Sequence, residues 1–354
     1  MNKKMITKNK EAYWILDKHY AIDLSLSRNP LGCSKTVQQK VNLKTVDISE
    51  YPESEELIKA ISAHFFIPEK NLAIDSGIDG FINFLPQVFL KKDDTVIIPK
   101  PTFPRFEMAI RAFGGQPVFV PLKDMRIDFE VMEKKITEKK PKMVLIANPN
   151  NPTGLFEDKK KILQLIKKTQ SLVIIDEAGI DFGGEKSSLI QEATKLKNLI
   201  VLRGFSKGYG LSGLRVAFCV ASPDIISQFN PKHLTFPVSA IAIRAATLAL
   251  IDQKHLEKTR ALFKKEGKFY QNELEKIGFK VLSPESNLIF AQIPSCFESA
   301  QELIEELHKK DIHCVDGQNF GLPKYIRVNP SIRKINKKFI QAVKEIIQEK
   351  TSNN

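Results

Sequence analysis

The sequence predicts an α/β protein, a large and mostly parallel mixed sheet sandwiched by helices, followed by a small C-terminal α/β unit. Three observations predict it. Apolar runs of strand length alternate with amphipathic runs of helix length from Leu72 to Val220. Two of the strand-length runs, Val144-Leu145-Ile146 and Val173-Ile174-Ile175, are apolar on both sides, as a central strand covered on both faces must be. After a long helical stretch the pattern restarts on a smaller scale.

Taken in order, the first fifty residues mix short apolar runs with turn signals, and Asn29-Pro30-Leu31-Gly32 is a strong breaker. Leu57, Ile58, Ile61 and Phe65 give helical spacing over Ser54 to Phe66. Strands are expected at Leu72–Ile74, Thr95–Ile98, Val118–Val120, Met143–Ala147, Leu172–Ile175, Leu199–Leu202 and Val216–Val220. Helices are expected between them at Ile78–Leu90, Phe103–Phe113, Phe129–Ile136 and Lys160–Lys168. One long helical stretch runs from Ser239 through Ile277. Then come a strand at Leu288–Ala291, a helix at Ala300–His308, strands at Ile312–Val315 and Tyr325–Val328, and a helix at Lys334–Ile347. The tail Lys350 to Asn354 is expected to fray. This order divides the chain into an N-terminal arm (1–45), a large domain (46–250) and a small domain (251–354), with the boundary inside the long helices.

Composition narrows the function classes. The chain has 354 residues, 42% hydrophobic and 27% charged, an ordinary globular balance. No window holds a continuous apolar run of membrane-spanning length. Met1 to Tyr20 is basic with no apolar core behind the charges, which argues against a secretory signal. The cysteines Cys33, Cys219, Cys296 and Cys314 are far apart, and no histidine spacing suggests a metal. A reducing, cytoplasmic compartment is the default. The net charge of +13 invites a nucleic-acid reading. It is discounted because only ten of the 54 basic residues are arginine and the lysines are dispersed.

Four features fall at strand ends, where a sheet of this class gathers its ligands. They are Asn148-Pro149-Asn150-Asn151-Pro152-Thr153-Gly154, Asp176-Glu177, Ser206-Lys207, and Arg215 in Gly210-Leu211-Ser212-Gly213-Leu214-Arg215. Each also has an ordinary reading: a plain loop, a helix cap, a surface charge, an ion pair. Taken singly, the ordinary readings win for Lys207 and Asp176. The ordered set is much harder to obtain by accident.

With these motifs the sequence resembles the fold-type-I pyridoxal-5′-phosphate (PLP) enzymes. Within them it is similar to the class-II aminotransferases, most of all the histidinol-phosphate aminotransferase family, from about Asp23 to Val343. The resemblance makes Lys207 the amine that forms the Schiff base and then shuttles a proton. It puts Asp176 beside the pyridine nitrogen, where a buried carboxylate keeps that nitrogen protonated. Asn151 matches the asparagine at the ring's 3′ oxygen. Ser206 and Arg215 match phosphate ligands, as does the turn Ser76-Gly77-Ile78-Asp79, whose backbone N–H groups open a helix. Asp79 there needs its charge offset. Tyr51 matches a tyrosine reaching the phosphate of a neighbouring subunit, which implies a homodimer. Phe103 lies where the family has a stacking tyrosine, and a plain core role is its rival. Arg327 matches the arginine that grips the substrate carboxylate. Asn287 and Asn29 match positions near the substrate, although capping and turn roles are common for asparagine.

Three departures stand out. The family's D-E-A-Y is Asp176-Glu177-Ala178-Gly179 here, which removes a donor to the 3′ oxygen, and Tyr209 is a candidate replacement. Val315 stands where related enzymes often carry arginine. Arg28 replaces an acid, either restoring charge near the substrate or lying exposed. Ile22-Asp23-Leu24-Ser25, Asn29-Pro30-Leu31-Gly32 and Asp176-Glu177-Ala178-Gly179-Ile180-Asp181-Phe182 also resemble threonine-phosphate decarboxylase. The resemblance therefore implies a PLP-dependent aminotransferase passing an amino group from an amino acid or amino-alcohol phosphate to a 2-oxo acid, without metal, nucleic acid or membrane. The rivals are a PLP decarboxylase of a phosphorylated amino acid and a non-enzymatic PLP-fold binding protein.

Overall fold

A computed structural model describes residues 19–42, 44, 46–229 and 232–352. Most of the basic N-terminal run, and residues 353–354 of the tail, therefore lie outside the described residues. The helix Arg333–Ser352 continues through Lys350, where fraying was expected, because the Lys350 ammonium reaches Glu302 on the neighbouring helix.

The strands are β1 (Ile22–Asp23), β2 (Leu72–Asp75), β3 (Thr95–Lys100), β4 (Gln116–Lys123), β5 (Arg126–Ile127), β6 (Met143–Ala147), β7 (Leu172–Asp176), β8 (Leu199–Gly204), β9 (Ala217–Ala221), β10 (Lys280–Val281), β11 (Ile289–Gln292), β12 (Ile312–His313), β13 (Val315–Asp316) and β14 (Tyr325–Val328). Eight form the main sheet in the order β2-β9-β8-β7-β6-β3-β4-β5. The pairs from β8 through β7, β6 and β3 to β4 are parallel, and β9 with β2 on one side and β5 on the other are antiparallel. The expected mostly parallel mixed sheet is present. β6 and β9 are buried at every position and β7 at all but its first residue, as the apolar runs require.

Helix starts follow local chemistry. Asp128 accepts from Val131 N–H, Asp158 from Lys160 and Lys161, and Ser299 from Glu302, each satisfying an orphan donor of the first turn. The long stretch from Ser239 is two helices, Ala240–Ile251 and Gln253–Glu275, because Asp252 ends one and caps the next by accepting from His255 N–H.

The expected strand Ile312–Val315 also divides. β12 pairs in parallel with β1, and β13 pairs with β14 in a second sheet ordered β10-β11-β14-β13. The main hydrophobic core draws on buried residues from Val37 to Leu256. A second core draws on residues from Tyr270 to Ile346 and takes in Leu24. Residues 22–24 are thus packed with the C-terminal elements, although they sit at the other end of the sequence.

Candidate active site

Strand ends deliver the site. β7 ends at Asp176, between Ala147 of β6 and Leu202 of β8, and the loops after these strands converge there. Asp176 is 7% exposed. One of its carboxylate oxygens accepts from Ala178 N–H at 2.8 Å. Burial raises its pKa to about 6, against the pull of the Lys207 ammonium and that bond, with Asp79 adding to the rise. Lys207 is half-buried. Burial lowers its pKa, Asp176 opposes the fall, and Arg327 adds to it. Lys207 therefore feels both Asp176 and Arg327.

The Asn-rich loop shows a division of labour that its sequence conceals. Asn148 Oδ1 accepts from Glu157 N–H at 2.9 Å. Asn150 accepts from Thr102 Oγ1 and donates to the Pro101 carbonyl, tying the loop to the turn before Phe103. Gly154 closes the loop at φ +72°, where an added Cβ would come within 2.9 Å of Ser286 Oγ. Asn151 alone reaches across, its Oδ1 accepting from Arg327 Nη1 at 2.7 Å.

Arg327 is 1% exposed, on β14. Its Nη2 donates to the Ser25 carbonyl. Burial lowers its pKa to about 9, so the guanidinium is charged at neutral pH. Asn287 donates to Asn329 Oδ1 at 3.2 Å, and Asn329 in turn donates to the Arg28 carbonyl. Asn29 commits its amide within the chain. Its Nδ2 donates to the Gly208 carbonyl and Thr259 Oγ1, both at 3.0 Å, and its Oδ1 accepts from Leu31 N–H. It holds the Lys207 loop from behind. Gly210 sits so close to Gly32 that a Cβ would fall 2.1 Å from the Gly32 carbonyl oxygen.

A second cluster lies at the start of helix Gly77–Phe89. Arg215 Nη2 pairs with Asp79 Oδ2 at 3.0 Å, which supplies the offset Asp79 needs, and Arg215 Nη1 reaches Ser206 Oγ at 3.4 Å. Gly77 has φ +73°, and a Cβ there would lie 2.5 Å from Arg215 Nη2. Ile78 is half-buried beside Gly204. Hydroxyl, guanidinium and helix N-terminus thus meet at a residue without a side chain, an arrangement suited to a phosphate.

Phe103 is half-buried and packs on Val315 and Phe320. Tyr51 is 77% exposed and stacks on Phe236, with ring centroids 4.7 Å apart. Gly179 is buried against Pro149, whose Cγ would be 2.7 Å from an added Cβ, so no side chain fits there without moving that ring. Tyr209 is 4% exposed in the main core, against Phe205. Arg28 is exposed and pairs with Asp23 at 3.4 Å, the second of its two expected fates.

Sequence reasoning missed the group beneath Lys207. Arg203, 2% exposed, pairs with Asp181 at 3.1 Å and Glu185 at 2.8 Å. The Asp181 carboxylate lies within 2.4 Å of where a Gly208 Cβ would stand. A charge directly after the apolar run Leu199–Leu202 was the available signal. Among the described residues no group of three or more potential ligands could hold a metal, and no helix is long and apolar enough to cross a membrane.

A doubly covered mixed sheet with an amine, a carboxylate and guanidinium groups gathered near its strand ends points to an amino-group transferase. The family model for aminotransferase class I and II matches residues 21–343, and the chain belongs to that family. Within it, the chain is 32% identical over 332 residues to the histidinol-phosphate aminotransferase of Caldicellulosiruptor saccharolyticus, covering 92% of each protein. The solved histidinol-phosphate aminotransferase from Clostridium acetobutylicum superposes with a TM-score of 0.86 at 27% identity, covering 93% of this chain and 99% of that one. The Sinorhizobium meliloti enzyme, solved in complex with pyridoxal-5′-phosphate, has a TM-score of 0.87 at 21% identity, over 99% and 95% of the two chains.

Proposed function

We propose that this chain is a PLP-dependent aminotransferase that takes the amino group of an amino acid or an amino-alcohol phosphate such as histidinol phosphate and delivers it to a 2-oxo acid. The observation that carries the reading is the setting of Lys207: an amine whose pKa burial lowers, with a buried carboxylate, Asp176, and a buried guanidinium, Arg327, both within electrostatic reach of it.

The residues fit the cofactor. Gly77 leaves bare the space that a Cβ would take beside Arg215, and Arg215 reaches Ser206 Oγ at the start of the same helix. Gly77, Ile78, Asp79, Ser206 and Arg215 would hold the phosphate, Asn151 the ring oxygen, and Phe103 the ring face. When bound, PLP supplies an aldehyde for the donor amine and a ring that accepts the electrons released at the donor's Cα.

The chain's own residues then have separate tasks. Burial favours the neutral form of Lys207 Nζ, the form that attacks and accepts a proton. Asp176, ionised above about pH 6, holds a proton on the ring nitrogen. Arg327 orients the donor by its anionic end, with Asn287 beside it. Asn29 acts by positioning the Lys207 loop. The same reading takes the enzyme as a cytoplasmic homodimer in which exposed Tyr51 reaches the neighbouring phosphate site. Support for the reach of Tyr51 to a neighbour comes from its exposure, 77%, with its ring stacked on Phe236.

Borohydride reduction of the PLP-loaded protein, followed by peptide mapping, tests the reading. The label is expected on Lys207. A label elsewhere, or protein that stays colourless in PLP, overturns it.

A further inference from the structure

We propose that Asp181 is a positioning residue for Lys207: pinned by Arg203 and Arg260, its carboxylate braces Gly208 and holds a fixed negative charge next to the reactive amine. This role rests on the aminotransferase reading above and adds a residue to it.

Four segments build the brace. Asp181 is 2% exposed on the short helix Ile180–Gly183, and Arg203 of β8 pairs with it at 3.1 Å. Glu185 grips the same guanidinium with both oxygens, at 2.8 and 3.0 Å, and the Phe65 ring centroid lies 4.7 Å from it. A forked carboxylate and an aromatic face together fix where that cation stands. From helix Gln253–Glu275, Arg260 Nε donates to the Asp181 carbonyl at 2.5 Å, and the adjacent Thr259 Oγ1 accepts from Asn29. Asn29 also donates to the Gly208 carbonyl. One turn of that helix therefore holds both groups that press on Gly208, the residue following Lys207.

Gly208 shows that the contact is demanded. An added Cβ would stand 2.4 Å from an Asp181 carboxylate oxygen and 2.7 Å from the Asp181 Cβ. The Gly208 φ lies outside the left-handed region, so its backbone would accept an ordinary residue. The carboxylate is what excludes one.

Stability does not explain a charge at this point. Hydrocarbon of the same volume commonly serves a core as well as a buried ion pair does. An anion fixed near an amine, by contrast, favours the protonated amine. The charged groups bearing on Lys207 are Asp176 from β7, Arg327 from β14, Asp79 from helix Gly77–Phe89, and Asp181. Those bearing on Asp181 are Arg203, Glu185 and Arg260, and the Arg203 guanidinium opposes the rise in pKa that burial causes. Glu177, pushed up to about 7 by burial, and His64, lowered by burial, border the same cluster. Above about pH 8 both have largely lost their protons, so Lys207 is read against a settled background.

The test follows labelling of Lys207 by 1-fluoro-2,4-dinitrobenzene from about pH 8 to about pH 11 in the full cofactor-free chain, read by peptide mapping. The neutral amine is the form that reacts, so the midpoint reports how tightly Lys207 holds its proton. Asp181→Asn keeps the shape of the side chain and removes its charge. The midpoint is expected to fall by at least about 0.5 pH unit, which labels Lys207 roughly threefold faster at a fixed pH below it. The pH at which the PLP-loaded protein changes its visible absorbance is expected to fall in the same sense. Glu185→Gln, which loosens Arg203 from its other side, is expected to move the midpoint less than about half as far. Should Asp181→Asn not fold, Asp181→Asn/Arg203→Met takes its place, leaving no lone charge buried, with the same downward shift expected. An unmoved or raised midpoint in a folded Asp181 variant overturns the proposal, as does a Glu185→Gln shift as large as that of Asp181→Asn. If neither Asp181 variant folds, the carboxylate serves the fold and the proposal falls. Borohydride labelling at Lys207 with an unmoved midpoint sinks this role alone. Loss of that label sinks the aminotransferase reading, whatever the midpoint does.

Discussion

Lys207 and Arg327 are two cations held in one cleft in opposite ways. Lys207 lies near carboxylates, with Asp176, Asp181 and Asp79 all raising its pKa while burial lowers it. Arg327 lies among neutral acceptors and hydrocarbon, the Asn151 amide oxygen, the Ser25 carbonyl and the side chains of Val315 and Phe320. The first environment suits a proton that must come and go. The second suits a charge that must stay, since a guanidinium lowered to about 9 is still protonated at neutral pH. The loop after β8 thus holds its cation among acids, and β14 of the small sheet holds its cation among neutral groups.

Replacing Lys207 strikes hardest at the first. Lys207→Ala is expected to lower kcat on the order of 10⁴-fold and to abolish borohydride labelling. A variant that still labels would show that another amine serves. Arg327→Ala tests the second environment. It should cost roughly 2–5 kcal/mol in kcat/KM, mostly through KM, because the donor's anion loses its partner in a buried setting. A change confined to kcat would mean that Arg327 acts on the reacting atoms instead.

Asp176→Asn separates chemistry from stability. kcat should fall on the order of 10²-fold, while the cofactor-free protein should become more stable at pH 8. The sign follows from linkage. The Asp176 pKa is raised from 3.8 to about 6, so the folded chain binds this proton more tightly than the unfolded chain. The ionised form costs stability above pH 6, and the cost fades as the pH falls through 6 toward 4. The gain in the variant is at most roughly 3 kcal/mol and should shrink at pH 5, as read by thermal melts. The smallest effect belongs to Gly77→Ala, which puts a methyl against Arg215 and strains a left-handed backbone by roughly 1–2 kcal/mol. PLP affinity, read by absorbance titration, should drop about tenfold, with the donor preference unchanged.

Much of this was legible because the informative residues sit at strand ends. The buried strands Met143–Ala147 and Leu172–Asp176 announce themselves by composition, and the loops behind them carry Asn151 and Asp176. Periodicity cannot say which asparagine of Asn148, Asn150 and Asn151 faces Arg327, since all three have the same chemistry. It also reads Ile312–Val315 as one strand, although the pairing changes from β1 to β14 around Cys314. Asn29 looks like a ligand in sequence. Its partners, Gly208 and Thr259, lie far along the chain, and only the fold shows its amide already engaged. Arg203 is hidden for the same reason, because its acids come from a different segment.

Residues 25–32 touch both cations' surroundings. The Ser25 carbonyl receives Arg327, the Asn29 amide holds Gly208 next to Lys207, and Gly32 closes on Gly210. This short stretch works as a gauge, fixing how far the Lys207 loop stands from the Arg327 guanidinium. Lengthening or shortening it by a residue would reset the reach of acceptable donors while leaving every charged side chain in place.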